Sequence, residues 1–174
     1  MSSIDEIQTG NDVPTRLADF AGSELFSRLF REGMDLVEET ANYLDGPGRE
    51  DAKRLGRTGA LSYAADSMSL TTQLMQCASW LLTQRAVAEG DMQASEAAEQ
   101  RYRLAPSKLK SGVWPADDDQ CPPRLGDLVE RAKSIHERLS RIDQSLFEDD
   151  KERERDAVNP VANQLDALNK AFGN

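Results

Sequence analysis

The chain has 174 residues, 39% hydrophobic and 6% aromatic, with 30% charged and a formal net charge of −10. This length supports one hydrophobic core with tails rather than two full domains, and the acidic balance repels phosphate backbones and anionic membrane surfaces, excluding direct nucleic-acid binding as a function class. Two cysteines, Cys77 and Cys121, stand in no metal-ligand spacing and fit a reducing cytoplasm.

Residues 1–22 contain Gly10, Asn11, Pro14 and Gly22 without a sustained period, and read as a flexible N-terminal arm with no secretory signal. Order is expected from Ser23, an N-cap with Glu24 in the first turn of a helix over about 23–45. Phe26, Phe30, Gly33, Leu36, Val37, Thr40 and Leu44 share one arc of this helix, and the Asp45-Gly46-Pro47-Gly48 breaker ends it. After a charged connector the pattern predicts a second helix over about 58–89, closed by Gly90 as the residue past its C-cap. A long connection over 91–123 follows, with a short helix expected within Gln93–Tyr102 and an acidic run at Asp117, Asp118 and Asp119. The third helix, about 124–147, aligns Leu125, Leu128, Val129, Ala132, Ile135, Leu139, Ile142 and Leu146. Residues 148–174 read as a charged tail, expected to be disordered, with two readings open for 160–172 and its Val161, Leu165, Leu168 and Phe172: a passive, frayed tail or a short docking helix. The expected fold is therefore all-α, a three-helix bundle with a long central helix.

Catalytic chemistry finds no foothold in this pattern. The single histidine, His136, lies near the centre of the third helix's apolar face and has no second histidine to form a metal pair, so it reads as a packed core side chain. The three aspartates lack the spacing and terminal glutamate of a calcium loop, and no phosphate-binding or nucleophile-elbow motif occurs. Glu38 and Glu39 are adjacent and diverge by about 100° on a helix, which rules out an acid/base pair. Cys77 falls on an apolar arc and reads as inert core. No enzyme, cofactor or metal is expected.

The densest apolar run, LTTQLMQCASWLLTQRAVAEG, is broken by Gln73, Gln76, Gln84 and Arg85 well short of the roughly 20 apolar residues of a membrane span. On the second helix Leu61, Met68, Met75 and Leu82 recur at a spacing of seven, with Ala65, Thr72, Ser79 and Ala86 four positions further on. This large-and-small seam is expected to face a neighbouring helix of the core. Leu70, Leu74, Cys77 and Leu81 form a second stripe for another neighbour. Trp80 and Val87 belong to neither stripe. Two readings stay open for them: cover by the 91–123 connection, through Trp114 or Tyr102, or exposure as a partner interface in which tryptophan is enriched. Trp80, Gln84, Val87 and Asp91 form the candidate partner-binding set, and the 160–172 segment is a second candidate surface.

The segments LFREGMDLVEETANYLDGPGR, with Phe26 before it, and LSYAADSMSLTTQLMQCASWLLTQRAVAEGDM, followed by LSRIDQSLF in the third helix, resemble the RcdA family of regulators of CtrA degradation in alpha-proteobacteria. The resemblance covers roughly two thirds of the chain. It implies a helical bundle that forms a homodimer and serves as a non-enzymatic adaptor for the ClpXP protease in cell-cycle control. It further implies a CpdR-like partner, a PopA-like partner adaptor and cargo such as CtrA, in the cytoplasm with transient residence at the cell pole. Two alternatives are a helical dimerisation module of unrelated regulatory role and a small-ligand-binding helical bundle.

Overall fold

The computed structural model describes residues 12–107, 109, 113–114 and 120–147. Six helices account for most of them, and no strand occurs among the described residues: α1 (Val13–Ala21), α2 (Glu24–Asp45), α3 (Pro47–Lys53), α4 (Arg57–Glu89), α5 (Ala94–Ala97) and α6 (Pro123–Leu146), with a 3-10 turn at Gln100–Tyr102. The expected flexible arm is corrected over residues 13–21. Pro14 lies in the first turn of α1, where its missing N–H costs no hydrogen bond, and Val13, Leu17 and Ala21 are buried. A four-residue rise in apolar spacing is too short to register as a period; packing against the bundle makes this short helix stable.

Ser23 starts α2 by accepting a bond from the Phe26 amide at 3.1 Å, while its own hydroxyl donates to the Phe20 carbonyl at 2.6 Å, fixing the corner between α1 and α2. The Gly46-Pro47 break reorients the chain without ending helical structure, because Pro47 is pre-set for a new first turn and opens α3. Gly48 is required there: a Cβ would stand 2.8 Å from the Tyr43 carbonyl oxygen. Gly90 ends α4 in the left-handed conformation, φ 78°, where glycine carries no Cβ penalty.

α2, α4 and α6 form the bundle, and α1 closes one end against α4 and α6. Leu29, Leu36, Leu70, Leu74, Leu81, Leu128, Ile135 and Leu139 fill its centre. Gly33 marks the closest approach, since a Cβ added there would lie 2.5 Å from Leu81 Cδ1 and 3.3 Å from Ile135 Cδ1. Ion pairs join the rims of α2 and α6: Arg138 with Glu32, and Arg131 with Glu39 at 2.8 Å. The hydrogen bonds from Arg138 hold the Glu32 carboxyl below its ordinary range. Arg16 of α1 donates two bonds to the Leu146 carbonyl, at 2.6 and 3.1 Å, satisfying an end group of α6 with a cation where the helix dipole favours one.

The orientation of α4 reverses the expected seam. Leu61, Met68, Met75 and Leu82 are 67, 72, 66 and 53% exposed, whereas Leu70, Leu74, Cys77 and Leu81 are buried. Periodicity alone presents α4 as two apolar stripes and one polar arc, with both stripes expected to face the core. The inner arc is decided by Ser62, Asp66, Gln73 and Trp80, polar or bifunctional side chains that find hydrogen-bonding and aromatic partners inside the fold, with Gln84 buried on the same arc.

Candidate protein-interaction surface

Trp80 is 3% and Gln84 1% exposed, so neither offers a contact surface on the folded chain. Val87 is half-buried and packs against the core, and Asp91 is exposed, so the candidate quartet is divided between interior and surface. Trp80 stacks at a tilt on Phe20 of α1 with centroids 5.8 Å apart, and its indole N–H donates to Asp143 of α6 at 3.0 Å. Phe20 in turn meets Phe26 edge-on at 5.6 Å, and Phe26 meets Phe30 at 5.9 Å. Cover for Trp80 therefore comes from α1 and α6, with the connection closing over their junction.

That connection is held to the α4–α6 groove by polar bonds. Asp143 accepts from Trp80, from Arg103 Nε at 2.9 Å and from the Leu104 amide at 3.3 Å, and pairs with Arg103 Nη2 at 2.9 Å. The Arg103 guanidinium also lies 3.9 Å from the centroid of Phe147. Further along, His136 Nε2 bonds the Ala105 carbonyl at 2.9 Å, Ser107 donates to Gln73 at 3.1 Å, Trp114 donates to Asp66 at 2.9 Å and Ser62 donates to the Val113 carbonyl at 2.9 Å. His136 is thus a buried side chain satisfied by the connection. Ser62, Asp66 and Gln73 Oε1 on α4 and His136 and Asp143 on α6 each meet a partner on the connection, which lets a segment with few apolar residues cover the bundle at reduced desolvation cost. Asp143, missed in the sequence, has a legible signal: it lies four residues after Leu139 on the apolar arc of α6, where a carboxylate needs donors.

Cys77 is buried, and desolvation pushes its thiol up to about 12, so it stays protonated and unreactive at neutral pH. Among the described residues no group of three or more His, Cys, Asp or Glu side chains could hold a metal ion, and no helix is long and apolar enough to cross a membrane. Asp117–Asp119, Val161, Leu165, Leu168 and Phe172 lie outside the described residues.

The surface that remains is the outer face of α4. Its exposed side chains form a ridge with a depression on each flank. One, about 490 Å³, runs between Thr72, Met75, Ser79 and the 101–105 segment. The other, about 150 Å³, lies between Met75, Thr71 and Ala78 of α4 and Val37, Ala41 and Leu44 of α2. From Ser67 through Gln84 the helix carries no charged residue, a length of about 27 Å at ~1.5 Å per residue. In an acidic chain this is an uncharged apolar strip of the kind that marks a protein contact.

A family model described as a protein of unknown function, DUF1465, matches residues 17–172. The crystal structure of RcdA from Caulobacter crescentus CB15 matches with 46% sequence identity and a TM-score of 0.61, covering 74% of this chain and 96% of that one. A search of curated proteins found no match.

Proposed function

Starting from the premise that the chain belongs to the RcdA family, which the DUF1465 model describes, we propose that it is a non-enzymatic adaptor in regulated proteolysis, acting as a homodimer in the cytoplasm with transient residence at the cell pole. It helps deliver cell-cycle regulators such as CtrA to the ClpXP protease together with CpdR-like and PopA-like partner adaptors. The observation that carries this reading is the 46% identity extending over 96% of RcdA, which spans the whole bundle rather than one helix. The exposed strip of α4 supports it, because an apolar ridge on an acidic protein is stabilised by a protein partner.

The mechanism is scaffolding. Weak contacts to a protease-bound partner and to cargo become sufficient when both are held on one body, since the second encounter proceeds at an effective concentration near the millimolar range. No bond is made or broken by this chain. Asp91 and the 160–172 segment with Val161, Leu165, Leu168 and Phe172 are the remaining candidate partner contacts, whereas Trp80, Gln84 and Val87 act through the fold.

Reconstituted degradation tests the reading. With ClpXP, the partner adaptors and CtrA-type cargo present, adding this chain accelerates cargo loss, and a catalytically inert mixture of chain and cargo alone shows none. Equal degradation rates with and without the chain would refute it.

A further inference from the structure

The exposed face of α4 reads nearly the same in both directions. Leu61 and Leu82, and Met68 and Met75, are placed symmetrically about the Thr71–Thr72 peptide bond. The small side chains between them follow: Ala65 mirrors Ala78, Ala64 mirrors Ser79, and the two threonines mirror each other. All of these are exposed except the half-buried Ala78. The symmetry stops at the buried face of the same helix, where Leu70 is set against Gln73, Cys77 against Asp66 and Leu81 against Ser62.

A sequence palindrome confined to an outward face is what an isologous contact requires, because a two-fold axis brings each residue against its mirror position in an identical patch. We propose that this face is where a second copy of the chain packs, α4 against α4 in antiparallel orientation, with the two-fold axis passing through Thr71–Thr72. This rests on the homodimer of the adaptor reading and specifies how it is built. Met68 of each copy then meets Met75 of the other, and Leu61 meets Leu82, at the heptad spacing of two helices crossing at about 20°. The small residues let the backbones approach, and the shallow depression formed by Ser67, Met68, Thr71 and Thr72 lies at the axis.

Charge selects this occupant. Two copies carrying −10 each repel one another over most of their surfaces, and the uncharged Ser67–Gln84 strip is where that repulsion is least. Area agrees: four large side chains, each more than half exposed, present roughly 500 Å² per copy, so two copies together approach the ~1,000 Å² that a specific interface clears before its rim is added. A heterologous helix, or the chain's own 160–172 segment, needs an apolar ridge but has no need of a palindrome.

Charge-pair variants of the full chain distinguish the orientations. Met68→Glu with Met75→Glu places acid against acid across an antiparallel interface and raises the dimer dissociation constant about 100-fold or more. Met68→Glu with Met75→Lys restores the dimer, because each introduced acid meets the partner's introduced base; a parallel pairing sets like against like and stays apart. The oligomeric state is read by light scattering on a sizing column, with circular dichroism showing the folded bundle in each case. A Thr72→Cys variant forms a disulfide-linked dimer on oxidation, and a Ser134→Cys variant on the outer side of α6 does not. A dimer that survives the double acid variant, or fails to cross-link at 72, overturns the interface and assigns the strip to another protein or to residues 160–172, while leaving the homodimer standing. A monomeric wild-type chain overturns both the interface and the homodimer. Cargo degradation, measured separately, decides the adaptor reading: no acceleration by a chain that dimerises as described sinks that reading and not the interface.

Discussion

Replacing Asp143 by alanine removes the acceptor on which Trp80, Arg103 and the Leu104 amide converge. The side chains of Asp143 and Arg103 are only 5 and 17% exposed, so the pair is closer to a buried than to a surface one. Breaking such a pair from one side costs about 3–5 kcal/mol, at the lower end here because the guanidinium keeps a partial path to solvent and its stacking on Phe147. The buried indole N–H, left without an acceptor, brings its own penalty of about 1–3 kcal/mol, which overlaps with the first because both follow from one deletion. A net loss of about 3 kcal/mol is expected. In urea, with a slope of ~2 kcal/mol/M, the unfolding midpoint falls by ~1.5 M, measured at one protein concentration because association shifts apparent stability. Asp143→Asn keeps an acceptor for the indole and loses only the ion pair, so its midpoint lies between the two. Trypsin gives a local readout: cleavage after Arg101 and Arg103 accelerates in Asp143→Ala, because the connection loses its anchor. A midpoint shift below ~0.5 M, with unchanged cleavage, would refute the assignment of Asp143 as the anchor.

Trp80→Ala is expected to destabilise the chain by about 3–5 kcal/mol through lost packing on Phe20 and the vacated bond to Asp143; a stability-neutral variant with altered partner binding would restore Trp80 to the surface. Gly33→Ala gains roughly 1 kcal/mol of helix propensity but forces Leu81 and Ile135 apart, at about 1–3 kcal/mol. A net loss of about 1 kcal/mol in thermal or urea unfolding follows, and a stabilised variant would contradict the close approach. For Cys77 the folded pKa is raised from 9.0 to about 12 by burial. The folded state therefore holds its proton more tightly than the unfolded chain, and the associated stability is intact below about pH 9 and lost as the pH climbs toward 12. Urea midpoints taken across that window should fall more steeply for the wild type than for Cys77→Ala; parallel profiles would place the thiol in contact with solvent.

Much of this architecture is written in local pattern. The Ser23 cap, the arc of α2 from Phe26 to Thr40, the arc of α6 from Leu125 to Leu146 and the glycine that ends α4 each depend on neighbours within a few turns. Such features survive translation from sequence to structure because helical period and capping are properties of the segment itself. α1 was not legible, since its nine residues depend on docking, and the division of α4 into inside and outside was not legible either. Two apolar stripes and one polar arc compete for the core, and apolar area alone favours burying Met68 and Met75 over Gln73 and Gln84.

By itself, then, the sequence determined an acidic, all-helical chain with one bundle, long helices at these positions, and a family. Only the tertiary structure decided which face of α4 looks inward. The cause is long-range: Asp143, Ser107, Trp114 and Phe20, 34 to 63 residues from their partners on α4, supply the hydrogen bonds and ring contacts that make a polar arc cheaper to bury than to expose. No window along the helix contains those partners. The apolar ridge of Leu61, Met68, Met75 and Leu82, displaced to the surface, is the consequence.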